Sequence, residues 1–429
     1  MPSRVKVILA GIAGNALEFY DFALYGVFSA VLAQKFFPQT DQISSLLLVF
    51  STFALGYITR PVGAILFGQL GDSIGRRKTL SLSVLCMAGS TVTIGLLPTY
   101  ETIGFFAPLL LVLARLVQGV SAGGEYNGAA IFMIEHMPDR KAFAGSMTTV
   151  SAASGVILAM LVGSTMLHAS LPDWAWRAPF FVGIILGGVA FYIRKKIEET
   201  PDFIKVLQTK SVVKAPIWEV LKKYPLEMLC CIGGAAFAGA LASTAMGFLP
   251  TYLTKFVGME HNHSLLFNGV GVLSLVLFSP ICGYMADRFG NEKLMFFGSI
   301  GVIAFSYFMF QWLQTRDIGY ILGALVLFHV FVAGFIPVFN AFMNELFPAH
   351  VRYSGVALGY GLGIALFGGM MPIASTFLID RTGSLSSPSF YLMLMGIVGI
   401  VITYVGTILH RKKRGLPKTK SASKLAFCQ

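Results

Sequence analysis

The sequence predicts an all-α membrane protein with twelve transmembrane helices in two six-helix bundles. Three observations carry this. Hydrophobic residues make up 55% of the 429 positions and charged residues only 12%, about half the charged share of a soluble domain. A chain so poor in polar side chains cannot cover a water-facing surface. Apolar runs of the ~20 residues needed to cross a hydrocarbon core recur twelve times. One loop pattern is also written twice: Gly68-x-x-x-Asp72-x-x-Gly75-Arg76-Arg77-Lys78 returns as Gly283-x-x-x-Asp287-Arg288-x-Gly290-x-x-Lys293, 215 residues on. A second pair, Glu135-x-x-Pro138-x-Arg140 with Gly145 and Glu345-x-x-Pro348-x-x-x-Arg352 with Gly355, is offset by 210. Both offsets are near half the chain, the mark of a duplicated half.

The first half, residues 1–197, holds spans at 7–33, 45–70, 79–98, 103–135, 143–168 and 177–196. The first is full-length and carries acids, which argues against a cleaved signal peptide. A polar middle loop, 198–225, links the halves. Within it, residues 217–224 have the pattern of a short helix lying on the membrane surface. The second half, 226–410, holds spans at 227–255, 264–286, 294–314, 319–345, 355–380 and 388–410, and a basic tail, 411–429, follows.

Orientation follows from Lys and Arg. Arg76–Lys78, Arg140–Lys141, the run from Arg194 to Lys223, Arg288 with Lys293, Arg352 and the tail share one side. Only Lys35, Arg177, Lys255, Arg316 and Arg381 fall on the other. The positive-inside rule places both termini and the middle loop in the cytoplasm. Trp174, Trp176 and Trp312 are then expected at the outer interface and Trp218 at the inner one. The net charge of +12 is explained by this topology and by anionic membrane lipid, so no nucleic acid is implied. Cys86, Cys230, Cys231, Cys282 and Cys428 have no ligand spacing, and no metal or cofactor is expected. No Walker motif, His-Glu-x-x-His or Gly-x-Ser-x-Gly elbow is present, which excludes ATP as energy source and gives no catalytic set.

In the repeated loop, Gly68, Gly71 and Gly75 permit close helix approach and a tight turn. Asp72 is expected near the N-terminus of the next helix, where a carboxylate is favoured. Arg76 and Arg77 can pair with acids at neighbouring span ends, such as Glu135 and Glu345. With Asp287, Arg288 and Arg352, these residues read as inner-face latches that hold one conformation and break in another.

The loop resembles the signature of the major facilitator superfamily, with Ser73 where an Arg is usual. Arg115-x-x-Gln118-Gly119 is similar to a second superfamily motif. Glu18-Phe19-Tyr20-Asp21-Phe22, Arg60-Pro61-Val62-Gly63, Gly119-x-x-x-Gly123-Gly124-Glu125, Glu199-Thr200-Pro201-x-Phe203 and Glu345-Leu346-Phe347-Pro348 with Arg352-Tyr353-Ser354-Gly355 resemble its metabolite:proton symporter family. That resemblance implies a secondary transporter moving protons with either a zwitterion of the proline/betaine type or an organic acid such as α-ketoglutarate, citrate or shikimate. An uncoupled facilitator or exchanger on the same fold is the other alternative. The expected partners are a small-molecule substrate, protons as coupling ion and membrane lipid, with the monomer as working unit.

Charges inside spans cost about 2.5–3.5 kcal/mol each at mid-helix, so they default to function. Asn15, Glu18, Phe22 and Tyr25 share a helical stripe with Asp21 at its edge. Arg115, Gln118 and Glu125 share a face of the fourth span, with Arg115 and Glu125 ~15 Å apart and so not expected to pair. We assign proton coupling to Asp21 with Arg115 as its switchable partner, and Glu18 and Glu125 as runners-up. A fixed structural Asp21–Arg115 pair is the competing reading. Arg60 suits a substrate carboxylate through its fork of donors. Glu18, Asn15, Tyr25, Gln118, Tyr126 and Tyr360 complete the expected substrate set, with the tyrosines offered for cation–π contact. The second half offers only neutral groups such as His329, Asn340 and Asn344. A lone His329 reads as a packing residue.

Overall fold

A computed structural model describes residues 4–37, 48, 49, 51, 52, 55, 56, 58–166, 171–213 and 215–413. No strand occurs among them. The first half contains α1 (Arg4–Val27), α2 (Ser29–Phe36), α3 (Arg60–Ser73), α4 (Arg76–Leu96), α5 (Phe106–His136), α6 (Lys141–Met166) and α7 (Ala178–Lys195). The middle loop holds α8 (Pro201–Gln208) and α9 (Pro216–Lys223). The second half contains α10 (Pro225–Ser243), α11 (Leu249–Lys255), α12 (His261–Phe289), α13 (Asn291–Gln314), α14 (Ile318–Leu346), α15 (Arg352–Gly363), α16 (Met371–Thr382) and α17 (Pro388–Lys413). Among the described residues, eleven helical stretches are long and apolar enough to cross a membrane. The second expected span, 45–70, coincides with the helical residues 48, 49, 51, 52, 55, 56 and 58 and the start of α3.

Three expected spans are interrupted, two of them beside a proline. The first breaks at Phe28 between α1 and α2. The seventh widens into a π turn at Thr244–Phe248 between α10 and α11, and the eleventh does so at Ile364–Gly368 before α16. Pro250 and Pro372 lie just beyond these turns. A proline removes one backbone donor and crowds the carbonyl a turn earlier, and an extra residue in the turn relieves that conflict. The middle loop carries the expected surface helix as α9, and α8, which hydrophobic pattern did not reveal. Thr200 caps α8 by accepting from the Phe203 amide at 3.4 Å. On α9, the Lys223 hydrogen bond at 2.9 Å holds Glu219 below the usual carboxylate range. The tail beyond Lys413 lies outside the described residues.

The repeat is visible in the backbone. Gly75 and Gly290 stand immediately before α4 and α13 with φ of 102° and 103°. That region is essentially closed to residues with a Cβ, at about 1–3 kcal/mol. Gly290→Ala is therefore expected to lower thermal stability by an amount in that range, measurable by thermal unfolding in detergent, whereas Gly89→Ala, in mid-helix open space, should not. The halves meet where α3 packs on α15 and where α6 packs on α12 and α14. The hydrogen bonds and ion pairs that brace the halves lie between mid-depth and the end that bears the loop motifs. The molecule is closed at this basic end. Trp174 and Trp218 are exposed, as an interfacial belt requires, but Trp176 is buried against Phe36 and Phe180.

Candidate functional site

Two groups of residues emerge, a gate at the basic end and a cluster of buried charges at mid-depth.

At the gate, Asp72 does not serve the helix that follows it. Its oxygens accept from the amides of Tyr353 and Ser354, at 3.1 and 2.8 Å, at the start of α15 in the other half. Asp287, its repeat partner, accepts from the amides of Ala142 and Phe143, at 2.7 and 2.9 Å, at the start of α6. Each carboxylate thus meets free amides and the positive end of a helix dipole across the interface. Gly68 and Gly283 make room: a Cβ on Gly68 would lie 3.0 Å from the Ser354 Cα, and one on Gly283 3.0 Å from the Phe143 Cα. The role expected of Asp72, at the start of α4, falls instead to Glu199, which accepts from the amides of Arg76 and Arg77 at 3.0 and 3.1 Å.

Arg76 is fully buried. It pairs with Asp72 and Glu135, each at 3.3 Å, and donates to the Ala349 carbonyl of the other half at 2.6 Å. Arg352 donates to Glu135 and to Asp202 of α8, both at 2.7 Å. Glu135 therefore holds an arginine from each half. Arg77 differs from expectation: it donates to the Ile197 carbonyl at 3.0 Å rather than meeting a span-end acid. Glu345 pairs with Lys141 at 2.9 Å rather than with Arg76 or Arg77. Arg288 is exposed over Phe289 and makes no ion pair among the described residues, so its place in the latch is not seen in this state.

At mid-depth, α1 organises the charges. Glu18 is buried, neither carboxylate oxygen has a hydrogen-bond partner, and Arg60 Nη2 stands 3.3 Å away. The Arg60 side chain keeps 19% exposure, so the pair remains reachable. Phe22, one turn on, lies between two guanidinium groups, with Arg60 at 4.2 Å and Arg115 at 4.9 Å from its ring centre. Such contacts let a ring share the cost of burying cations. Arg115 also lies 4.3 Å from the centre of the Tyr25 ring.

Asp21 and Arg115 are not in direct contact. Asp21 accepts from the Thr91 hydroxyl at 2.8 Å, Gln118 Nε2 donates to that hydroxyl at 3.1 Å, and Arg115 donates to Gln118 Oε1 at 2.7 Å. The expected acid and base are joined by two neutral side chains, and Thr91 is a member sequence reading did not supply. The other Asp21 oxygen has no partner.

Glu125 is held differently. Arg194 and Ser83 both donate to it, and Arg194 also donates to the Ala10 carbonyl at 3.0 Å and the Leu80 carbonyl at 2.6 Å. Arg194, counted from sequence only among the basic residues that set orientation, is fully buried. The run of basic residues that follows it hid it, and its one signal is that it ends an apolar span.

Between the halves, Tyr126 of α5 stacks on Tyr360 of α15 with ring centres 5.1 Å apart, and Phe19 of α1 lies 6.0 Å from Tyr126. Phe19 and Glu18 are chain neighbours, so the aromatic pair and the Glu18–Arg60 pair flank the same stretch of α1. Asn15 faces α6, donating to the Thr148 carbonyl at 2.9 Å and to Ser151. Tyr20 and His329 are packing residues here, bonded to the carbonyls of Pro179 and Leu325, each at 2.7 Å.

The family model described as the Major Facilitator Superfamily matches residues 12–352 and 264–427. The chain belongs to the Major Facilitator Superfamily. Among its relatives, the proline/betaine transporter of Escherichia coli K12 is 32% identical over 92% of this chain and 82% of its own. The glycine betaine/proline/ectoine/pipecolic acid transporter OusA of Dickeya dadantii is also 32% identical, over the same shares. A putative proline/betaine transporter of Staphylococcus haemolyticus is 30% identical over 98% of this chain and 92% of its own. The proton:xylose symporter XylE superposes with a TM-score of 0.76 at 15% identity, covering 97% of this chain and 96% of its own, which establishes the shared fold. This Major Facilitator Superfamily member is accordingly a multi-pass membrane protein of a transporter family.

Proposed function

We propose that this chain is a proton symporter for a small zwitterionic osmolyte of the proline/betaine type. The basic end and both termini would face the cytoplasm of a bacterial inner membrane, as Lys and Arg placement favours, so the closed side would be the cytoplasmic one. Transport proceeds by alternating access, with the two halves rocking about a mid-depth site in a single monomer.

The observation that carries the reading is the Glu18–Arg60 pair beside the stacked Tyr126 and Tyr360. A zwitterion brings one charge of each sign. Its carboxylate replaces Glu18 at the Arg60 guanidinium, which suits a two-oxygen ligand. Its ammonium then lies against the released Glu18 carboxylate and the tyrosine faces. Net charge in the membrane interior is conserved through the exchange, which keeps its electrostatic cost low. A plain organic acid leaves Glu18 without a counter-charge and is disfavoured. The substrate names of the relatives support the same class.

Asp21 carries the proton in this scheme. Its unpartnered oxygen is where a proton arrives, and protonation removes the charge that the Thr91–Gln118–Arg115 chain balances, changing the preference between states. In proteoliposomes with an imposed inward proton gradient, the wild type is expected to accumulate labelled glycine betaine and proline but not α-ketoglutarate or citrate. Asp21→Asn is expected to lose at least ten-fold of that accumulation while retaining substrate exchange. Uptake indifferent to the gradient would overturn symport. Accumulation of the acids instead would overturn the zwitterion.

A further inference from the structure

Asn340 is fully buried in α14 and its amide nitrogen faces the other half. Nδ2 lies 3.0 Å from the Tyr126 hydroxyl, 2.7 Å from Thr148 Oγ1 and 3.2 Å from the Gly145 carbonyl. Tyr126 is on α5 and the other two are on α6. These contacts lie on the path between the aromatic pair and the gate. Tyr126 is the member of the stacked pair contributed by the first half, and its hydroxyl is held by the second. The same Thr148 offers its carbonyl to Asn15 of α1, one turn before Glu18. Toward the basic end, Asn344 donates to the Asn340 carbonyl at 2.9 Å, and Glu345 pairs with Lys141 at 2.9 Å. Positions 340 and 345 are ~7.5 Å apart along a helix.

We propose that Asn340 is a positioning residue that links the state of the Tyr126–Tyr360 pair to closure of the gate. The inference rests on the reading of that pair as part of the substrate site. A cation that settles against the tyrosine rings shifts Tyr126, and the shift breaks the hydroxyl contact. Asn340 then has fewer bonds to hold α14 against α6. Its Oδ1 has no hydrogen-bond partner, so the amide is held by hydrogen bonds through Nδ2 alone. Pro337, one turn earlier within α14, interrupts the helix ladder and gives the gate-side segment a place to bend. Substrate binding is thereby converted into release of the second half from the first, beginning at mid-depth and ending at Glu345.

The test measures gate opening directly. Spin labels at Arg140→Cys and Lys293→Cys, both exposed positions in opposite halves near the basic end, report the open population in the reconstituted full chain with its native cysteines replaced. Without ligand, Asn340→Ala is expected to raise the open population at least three-fold. Thr148→Val, which removes one of the three acceptors and keeps the side-chain shape, should shift it the same way by a smaller factor. With saturating glycine betaine, the ligand-induced increment should shrink in both variants. Wild-type populations and a wild-type increment in the two variants overturn the link, and Thr148→Val decides alone if Asn340→Ala does not fold. A wild type that transports but does not open further with glycine betaine or proline counts against the substrate reading instead. The ligand-free comparison still judges the Asn340 contact in that case.

Discussion

Glu135→Gln is expected to open the basic end. Glu135 is buried and takes Arg76 from the first half and Arg352 from the second. Removing one member of a buried charge group leaves uncompensated charge, at about 3–5 kcal/mol. Here Arg76 keeps Asp72 and Arg352 keeps Asp202, so the lower figure applies. About 3 kcal/mol against the closed state is roughly a hundredfold in its population relative to states in which these arginines reach water. The measurement is alkylation of Ser354→Cys by a membrane-impermeant maleimide added from the basic side. Ser354 is 1% exposed behind the closed gate, and its labelling should accelerate at least tenfold with Glu135→Gln. Lys141→Met is the contrasting case. The Lys141–Glu345 pair is partly exposed, 33% and 17%, and such pairs contribute about 0–1 kcal/mol. It should change the rate by no more than about threefold. Equal effects from the two substitutions would mean that the gate is not held by its buried charges.

The gate was legible in part because duplication writes its geometry twice. Glycine at 75 and 290 marks two turns with the same unusual φ, and glycine at 68 and 283 marks two close approaches. The acids were recognised as helix-end acids, but the helix they serve was assigned by adjacency. Asp72 instead reaches Tyr353, 281 positions away. Loop spacing encodes a preference for free amides and not which helix supplies them. At mid-depth, Glu18, Asp21, Arg60 and Arg115 announce themselves because charges in apolar spans are expensive. Their pairing does not, since Thr91 and Gln118 are ordinary neutral residues until α4 and α5 bring them between Asp21 and Arg115. Arg194 was hidden for a third reason. Positive residues at a span end are expected from topology alone, and only packing shows that this one turns inward.

That inward arginine takes Glu125 out of the buried acids that are free to exchange a proton. Arg194→Met is expected to be severely destabilising, because it strands the Glu125 carboxylate and removes donors that join α7 to α1, α4 and α5. The loss should be about 3–5 kcal/mol, read as a large drop in thermal unfolding temperature and in folded yield. Adding Glu125→Met should recover much of it, since replacing both members of a buried pair with apolar groups of similar volume is often neutral. The double variant then separates two roles. Glu125 has both oxygens engaged, by Arg194 and Ser83, and giving it a proton means giving up that network. Asp21 has one oxygen unpartnered and accepts a proton at no such loss. A folded Arg194→Met/Glu125→Met chain that still accumulates glycine betaine on a proton gradient places Glu125 among the structural charges. A folded double variant that exchanges substrate but no longer accumulates it would transfer the coupling role from Asp21 to Glu125.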